Sequence, residues 1–481
     1  MDWSHPGRSG DLPDRLRARG DGERGIRSEH RRNRLGRVRT VRLGAIPSTG
    51  AFCCETLARG ILEVRTKESG DAKVRLGSRF HRLFGATLVS AIGTGMHAAA
   101  LPLLVLQSTS GPMALSSVVM AAEVPWVLLS LHAGVVVDRL DRRRVMVWAD
   151  LGRFAVLVAL AVLVLTALVN LVCLVLAAFL LGVGQVFFDI AAQSAVPDLV
   201  SRDPRSLATA NGRIVAAESN GEDFVGPPLG SALFGLWNLL PFAGNALSFA
   251  ASGLLIFSIR TDAKPKETSG TPRRSVRGEI AEGIRWLFGN RTLRALATAS
   301  CLGNIAVTAQ FAMLALLAKE VLGLPDFGFG LLLTATAVGA TVGGLAAAAA
   351  GKRFGPGTVV LAGKAGVGTA VLVLGLVANA WVAAAMMMVT GALMTAEKVV
   401  VSTLRQQIVP NELLGRVLSS SRLVVMTGGP VGAALGGVLA SLFAVQVSYV
   451  AGGVFLILVT LVFYPVLNNR TLASTTDESA R

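Results

Sequence analysis

Charge is scarce in this chain and tyrosine is nearly absent: 16% of its 481 residues are charged and 2 are tyrosine, against 52% apolar residues and 53 glycines. That balance argues against a water-soluble enzyme of this length, since such domains carry about 25% charged residues. Cysteine is sparse too. Cys53, Cys54, Cys173 and Cys301 have no repeated pairing and no metal-ligand spacing, and two of them fall inside apolar runs, so neither a disulfide nor a zinc or other metal site is expected. No glycine-rich phosphate loop stands between a strand and a helix, which leaves ATP-driven and dehydrogenase chemistry without support. Nor do a nucleophile, a base and an orienting acid converge at one face, so an enzyme is not expected.

What the chain does have is a series of apolar runs close to bilayer thickness, each punctuated by charge, proline or glycine. They fall at 83–106, 112–136, 145–167, 170–192, 208–235 and 239–259, then, after a polar stretch, at 293–318, 327–350, 357–378, 381–404, 414–441 and 445–467. The reading is an all-α polytopic membrane protein with twelve transmembrane helices in two six-helix halves, 83–259 and 293–467. A net charge of +16 would by itself invite nucleic acid, but the basic residues occupy alternate inter-helix loops, among them Arg139, Arg142–Arg144, Arg202, Arg205, Arg273, Arg274, Lys352 and Arg353. The positive-inside rule therefore puts both ends in the cytoplasm of a multi-pass cell-membrane protein, with membrane lipids as partners and no nucleic acid.

Residues 1–79 are rich in arginine, acidic residues and glycine and contain no run long enough to span. They are expected to be a disordered basic cytoplasmic extension, or sequence upstream of the true start; a regulatory or lipid-surface arm is the alternative. Residues 260–292 read as a cytoplasmic linker whose part from Arg273 to Leu287 forms either an interfacial amphipathic helix or a plain linker helix, and 468–481 as a cytoplasmic tail. A faint repeat supports the two halves: Gln193–Pro197 and Gln407–Pro410 each precede a helix bearing a Gly-Pro pair, Gly226-Pro227 and Gly429-Pro430.

Ionisable residues inside apolar runs are expensive and mark function or pairing. Glu123 stands midway along the second run beside Pro125, where alternating wet and dry surroundings would let it take up and release a proton; a satisfied helix-to-helix hydrogen bond is the competing account. Glu218, Glu222 and Asp223 precede Gly226-Pro227-Pro228 in the fifth run, and Glu218 and Glu222 share a face one turn apart, where two like charges resist joint ionisation. These four acids are the proton-coupling or cargo candidates, with Glu218 alternatively paired to Arg213. Asp150 and Arg153, three apart, can pair and either link to the preceding turn or fix helix depth. Lys364 is expected to pair with Glu397, leaving Lys398 to reach the cytoplasm, Asp189 or another acid. Gly226, Pro227, Pro228, Gly429 and Pro430 are helix-bend candidates. His97, Gln185, Asn304 and Gln310 add sparse polar contacts, while Met96, Trp126, Phe187, Phe188 and Phe311 are residues for packing or for an adaptable apolar cavity.

The turn after the second run reads Gly134-Val-Val-Val-Asp138-Arg139-Leu-Asp141-Arg142-Arg143. Together with the twelve-run pattern it resembles the major facilitator superfamily, whose motif here is a Gly-x-x-x-Asp-Arg/Lys-x-Gly-Arg/Lys-Arg/Lys sequence; Asp141 stands where the second glycine is usual. The stretch 187–218, followed by FVGPPLG at 224–230, further resembles the enterobactin-exporter-like and macrolide-efflux-like branch. The resemblance implies a secondary active transporter working by alternating access, with a proton gradient and no cofactor, active as a monomer, and in this branch commonly exporting small amphipathic molecules as an antiporter. It assigns gating to Gly134, Asp138, Arg139, Arg142 and Arg143, to which Asp150 and Arg153 are added as gating candidates by their own spacing; from the residues alone, Asp138 and Arg142 can also be a mere local surface pair. Proton-coupled uptake of a metabolite or siderophore-like compound, and a non-transporting membrane interaction protein, stay open.

Overall fold

The computed structural model describes residues 76–109, 111–200, 203–259 and 276–472. The expected extension 1–79 thus lies, up to residue 75, outside the described residues, as do the linker before residue 276 and the tail beyond residue 472. Fifteen α-helices and two short π-helical turns make up the described residues. In chain order they are α1 (Ser78–Ser108), α2 (Pro112–Arg139), α3 (Arg142–Leu165), α4 (Leu171–Leu199), α5 (Pro204–Ser219), α6 (Gly226–Leu236), α7 (Leu240–Phe257), α8 (Val276–Gly289), α9 (Arg291–Leu316), α10 (Asp326–Phe354), α11 (Pro356–Leu376), α12 (Ala380–Ile408), α13 (Asn411–Met426), α14 (Gly428–Leu442) and α15 (Val445–Leu467).

Local chemistry fixes several of the starts. Asn170, Asn290 and Asn379 cap α4, α9 and α12 by accepting from backbone amides two or three residues on, and proline opens α2, α5 and α11, where no amide partner is lost. Eleven helical spans among the described residues are long and apolar enough to cross a membrane. Leu236, Leu345 and Trp381 stand 79%, 82% and 85% exposed, which is tolerable when the surrounding solvent is hydrocarbon.

The run expected as the fifth span is divided. α5 ends at Ser219, a π-turn covers Asn220–Val225, and α6 resumes at Gly226. Pro227 and Pro228 carry no amide hydrogen, so the carbonyls four residues earlier lose their helical partners and the chain rewinds to a wider turn. The same stretch is polar, with Asn220, Glu222 and Asp223, which keeps it off the tally of uninterrupted apolar spans. Its glycines serve close approach to α1: a Cβ added at Gly226 would lie 2.5 Å from the Cα of Gly95, and one at Gly95 would lie 2.5 Å from the Glu222 carbonyl oxygen.

Helices α1 to α7 pack mainly on one another, through α1 on α7, α2 on α4 and α3 on α7. Those from α9 onward do likewise, through α10 on α12, α11 on α15 and α9 on α14, and the two groups meet chiefly where α2 crosses α14 and α6 crosses α10. At these crossings Gly437 lies against Ser116, and Gly330 against Ser231 and the Pro227 carbonyl. Toward the end that carries the 138–144 turn the groups separate: α13 barely touches α2, on which α14 packs closely, and α5 has no contact with the second group comparable to that of α6 on α10. A cleft therefore opens at that end and is closed at the other.

The linker helix α8 docks on α13, with Gly283 against the Arg416 carbonyl and Glu282 accepting from Arg416 at 2.9 Å. The turn between α10 and α11 is tied from after α15. Asn469 donates to the Phe354 carbonyl at 2.8 Å and to Thr358 Oγ1 at 2.9 Å, and accepts from the Thr358 amide at 3.1 Å.

These contacts separate two kinds of glycine. Gly343→Val would drive a side chain into the Ala392 carbonyl, and its thermal midpoint in detergent is expected to fall in line with the roughly 1–3 kcal/mol that overpacking costs. Gly134→Ala meets open space and is expected to leave the midpoint unchanged or raise it, by up to about 1 kcal/mol, as an alanine replacing a helical glycine does.

Candidate functional site

The polar centre is built on α3 and α4. Asp150 and Arg153 sit one turn apart and form an ion pair with each side chain 1% exposed. Three further contacts hold the arginine: Nη1 donates to Gln185 Oε1 at 2.5 Å, and the guanidinium lies 4.6 and 4.1 Å from the ring centroids of Phe188 and Phe249. Desolvated cation–π contacts of this kind are worth about 2 kcal/mol each. With its oxygen taken by arginine, Gln185 turns its amide nitrogen to two acids. Nε2 donates to the Asp189 carboxylate at 3.1 Å and to Glu222 Oε1 at 3.3 Å. One amide thereby joins an acid of α4 to an acid of the π-turn, both half-buried at the cleft.

By sequence alone Gln185 is one of several sparse polar contacts and Asp189 only a partner for Lys398. The spacing of the two, four residues apart on a helix with a lone acid in an apolar run, was the available signal. Glu218, half-buried one turn before Glu222, lies within electrostatic reach of Asp189 and of Arg422 on α13, rather than being paired to Arg213, which is exposed. Asp223 is within reach of Lys398 of α12. Arg422, which no sequence pattern marks, has its guanidinium 5.3 Å from the Trp126 ring of α2. Acids of the first helix group thus face cations of the second.

Lys364 and Glu397 pair as expected, Nζ to Oε1 at 2.7 Å and both nearly buried. Glu123 is half-buried on α2 at the crossing with α14, where a Cβ added at Gly429 would lie 2.9 Å from its Oε2. Any side chain at 429 would displace that carboxylate. Pro430 follows directly, beside the break between α13 and α14 at Thr427.

At the 138–144 turn the side chain of Asp138 lies outside the described residues, and Arg139 is exposed. Arg142 pairs with Asp198 at the end of α4. Arg143 donates to the Phe257 carbonyl and lies 4.8 Å from the Phe257 ring, so it is tied to the end of α7. Asp141, the departure from the motif, has a structural use: its carboxylate accepts from the Arg143 amide at 3.0 Å and caps α3. Asp150 and Arg153 join the acid pair through Gln185, away from this turn. Among the described residues no group of three or more His, Cys, Asp or Glu side chains is arranged to hold a metal.

A polytopic helix bundle whose two groups leave a charged cleft open at one end has the build of a membrane transporter. Residues 75–480 match the major facilitator family described as transmembrane secretion effector, and the chain belongs to that family. It is similar to the multidrug efflux pump Tap of Mycolicibacterium fortuitum, with 28% identity over 409 residues that cover 81% of this chain and 96% of the relative. Its fold is like that of a bacterial homologue of the human lysosomal transporter Spinster in an inward-facing, unoccupied conformation, with a TM-score of 0.68 and 14% identity over 84% of this chain and 99% of that one. A bacterial homologue of the iron transporter ferroportin, inward-facing, matches with a TM-score of 0.63 and 18% identity over 80% and 98%. The chain is a membrane transport protein of the major facilitator type and not an enzyme.

Breaking a buried pair by removing one partner strands the other charge. Arg153→Gln is expected to destabilise the protein in detergent by about 3–5 kcal/mol, and the double variant Asp150→Asn, Arg153→Gln by distinctly less. Thermal unfolding of the single and double variants reads the difference; equal losses would mean that the pair is not held as one unit.

Proposed function

We propose that the protein is a proton-coupled exporter of a small amphipathic molecule, working by alternating access between halves at 83–259 and 293–467. The observation that carries this is the pair of acids, Asp189 and Glu222, joined by the Gln185 amide at a cleft closed at one end. Two carboxylates bridged this way share protons and cations as a unit, and their wall is contacted by water only when the cleft opens to one side. Similarity to a multidrug efflux pump supports the outward direction and the amphipathic cargo, and the 187–230 stretch supports the enterobactin-exporter-like and macrolide-efflux-like branch.

In this reading the broken α5–α6 helix is the fifth of twelve crossings, and both ends and the basic turns are cytoplasmic. The cleft of this structure then faces the cytoplasm, where cargo would enter. Gly134, Asp138, Arg139, Arg142 and Arg143 form the turn that holds α2 to α3 through the cycle, while Gly226, Pro227, Pro228, Gly429 and Pro430 are the bends about which α6 and α14 move. Glu123, wedged against Gly429, reports protonation to the α2–α14 crossing. Glu218 and Asp223 flank the joined pair as secondary cargo or proton sites.

Orientation is tested by cysteine labelling in a background freed of the native thiols. Leu168→Cys is expected to react with a membrane-impermeant maleimide added to intact cells and Gly270→Cys only after permeabilisation; the reverse pattern would sink the orientation.

Coupling is tested in oriented vesicles with a cargo screen driven by a proton gradient. Glu222→Gln is expected to abolish gradient-driven flux while leaving downhill exchange of the same cargo, and Glu123→Gln to weaken the gradient dependence. Unchanged dependence in both removes them as proton carriers, and accumulation in the opposite direction assigns uptake in place of export.

A further inference from the structure

The cleft holds a cation that belongs to the protein itself. Arg422 projects from α13 of the second helix group, is exposed to the cleft, and lays its guanidinium 5.3 Å from the ring of Trp126 on α2 of the first group. It feels Asp189 and Glu218 across the gap, yet among the described residues it forms no direct ion pair with either. The contrast with the other intramembrane cations is sharp. Arg153 is sealed between two phenyl rings and bonded to Asp150 and Gln185, and Lys364 is bonded to Glu397 at 2.7 Å. Those two cannot leave without stranding a buried charge, whereas Arg422 stays solvated and can swing away at little loss.

We propose that Arg422 is a specificity-determining residue that plugs the cargo site, occupying in the empty transporter the place taken by the cationic head of a cargo whose apolar body rests on Trp126. This rests on the transport reading given above and adds the charge class of the cargo. An indole face offers a cation about 0.5–2 kcal/mol, and it does so equally for a side-chain guanidinium and for an organic cation. The wall facing Arg422 is rich in acidic side chains, which favours a cation over an anion. Asp189, Glu218, Glu222 and Asp223 stand on one side, against Arg422 and Lys398 on the other, while Arg153 is already neutralised by Asp150. When Arg422 moves aside, a cation restores what was removed. An anion seeking Arg422 would instead meet the facing carboxylates.

The plug also gives the empty state a definite structure. With Arg422 on Trp126, α13 and α2 are bridged on the open side of the α2–α14 contact at Gly429, so an arriving cation replaces an interaction between the groups rather than filling a void. Cargo binding then frees α13 from α2 on the cleft side.

The test uses the purified full-length protein in detergent and two probes of equal size and opposite charge, tetraphenylphosphonium and tetraphenylborate, titrated calorimetrically with protein-free micelles subtracted. Arg422→Gln removes the competitor and is expected to bind tetraphenylphosphonium about tenfold more tightly than the unmodified protein, the ratio set by an interaction near 1.4 kcal/mol. Arg422→Lys keeps the charge and is expected to stay within about twofold, since a lysine cation also reaches the indole face. Trp126→Ala takes away the platform and is expected to weaken tetraphenylphosphonium binding about fivefold or more in a protein that still has Arg422. Tetraphenylborate is expected to bind no variant more tightly than it binds empty micelles.

Unchanged or weaker tetraphenylphosphonium binding in Arg422→Gln, or no binding to any variant, overturns the proposal. So does tetraphenylborate binding that disappears with Arg422, which would make the arginine an anion receptor. If Arg422→Gln does not fold, the Trp126→Ala and Arg422→Lys titrations decide alone. Failure here leaves the transport reading in place wherever the vesicle screen still gives gradient-driven flux of another cargo; absence of all flux is what removes that reading.

Discussion

A full charge buried among apolar helices must be answered on the spot, and in this protein the answer given to Arg153 organises everything around it. Asp150 neutralises it, Phe188 and Phe249 cover its faces, and Nη1 donates to Gln185. Those partners come from three helices: Asp150 from α3 itself, Gln185 and Phe188 from α4, and Phe249 from α7. The arginine therefore fixes the mutual position of three helices. Because it also fixes which way the Gln185 amide faces, it sets the distance at which Asp189 meets Glu222. The site is an outgrowth of a packing problem.

The two regions of contact between the helix groups rely on different physics. Where α2 meets α14 and α6 meets α10, small residues bring backbones together and dispersion does the holding. Across the open cleft the groups are linked by charges that act at a distance, Arg422 toward Asp189 and Glu218, and Lys398 toward Asp223. Close packing is all-or-none, while solvated charges exchange partners without a large barrier. A protein that opens first at one face and then at the other needs both, and here they are separated along the helices.

Much of this was readable in the sequence because it is local. Membrane thickness and apolar composition mark the runs, the three-residue spacing of Asp150 and Arg153 puts them on one face, and Lys364 has a matching acid in Glu397 on the next span. Gly226-Pro227-Pro228 announced an irregular helix, but the π-turn over Asn220–Val225 depends on how that stretch meets Gly95 of α1, which no periodicity encodes. Asp141 looked like a flaw in a glycine turn, and its use as a cap appears only once α3 is seen to begin at Arg142. The union of Gln185 with Glu222 and the seat of Arg422 on Trp126 join residues far apart in the chain. A hydrophobic pattern states which face of a helix is wet, and not which neighbour it will find there.

The tie from Asn469 to the α10–α11 turn has a consequence for biosynthesis. Phe354 and Thr358 leave the ribosome more than a hundred residues before Asn469 does, since the bonded pair is separated by 111 positions. At synthesis rates of about 5–20 residues per second, that turn waits several seconds or more for its clasp. During that interval α10 and α11 are already membrane-inserted hydrophobic segments with an unfastened hinge between them. The tether of this turn can therefore form only after the last span of the second helix group has been made.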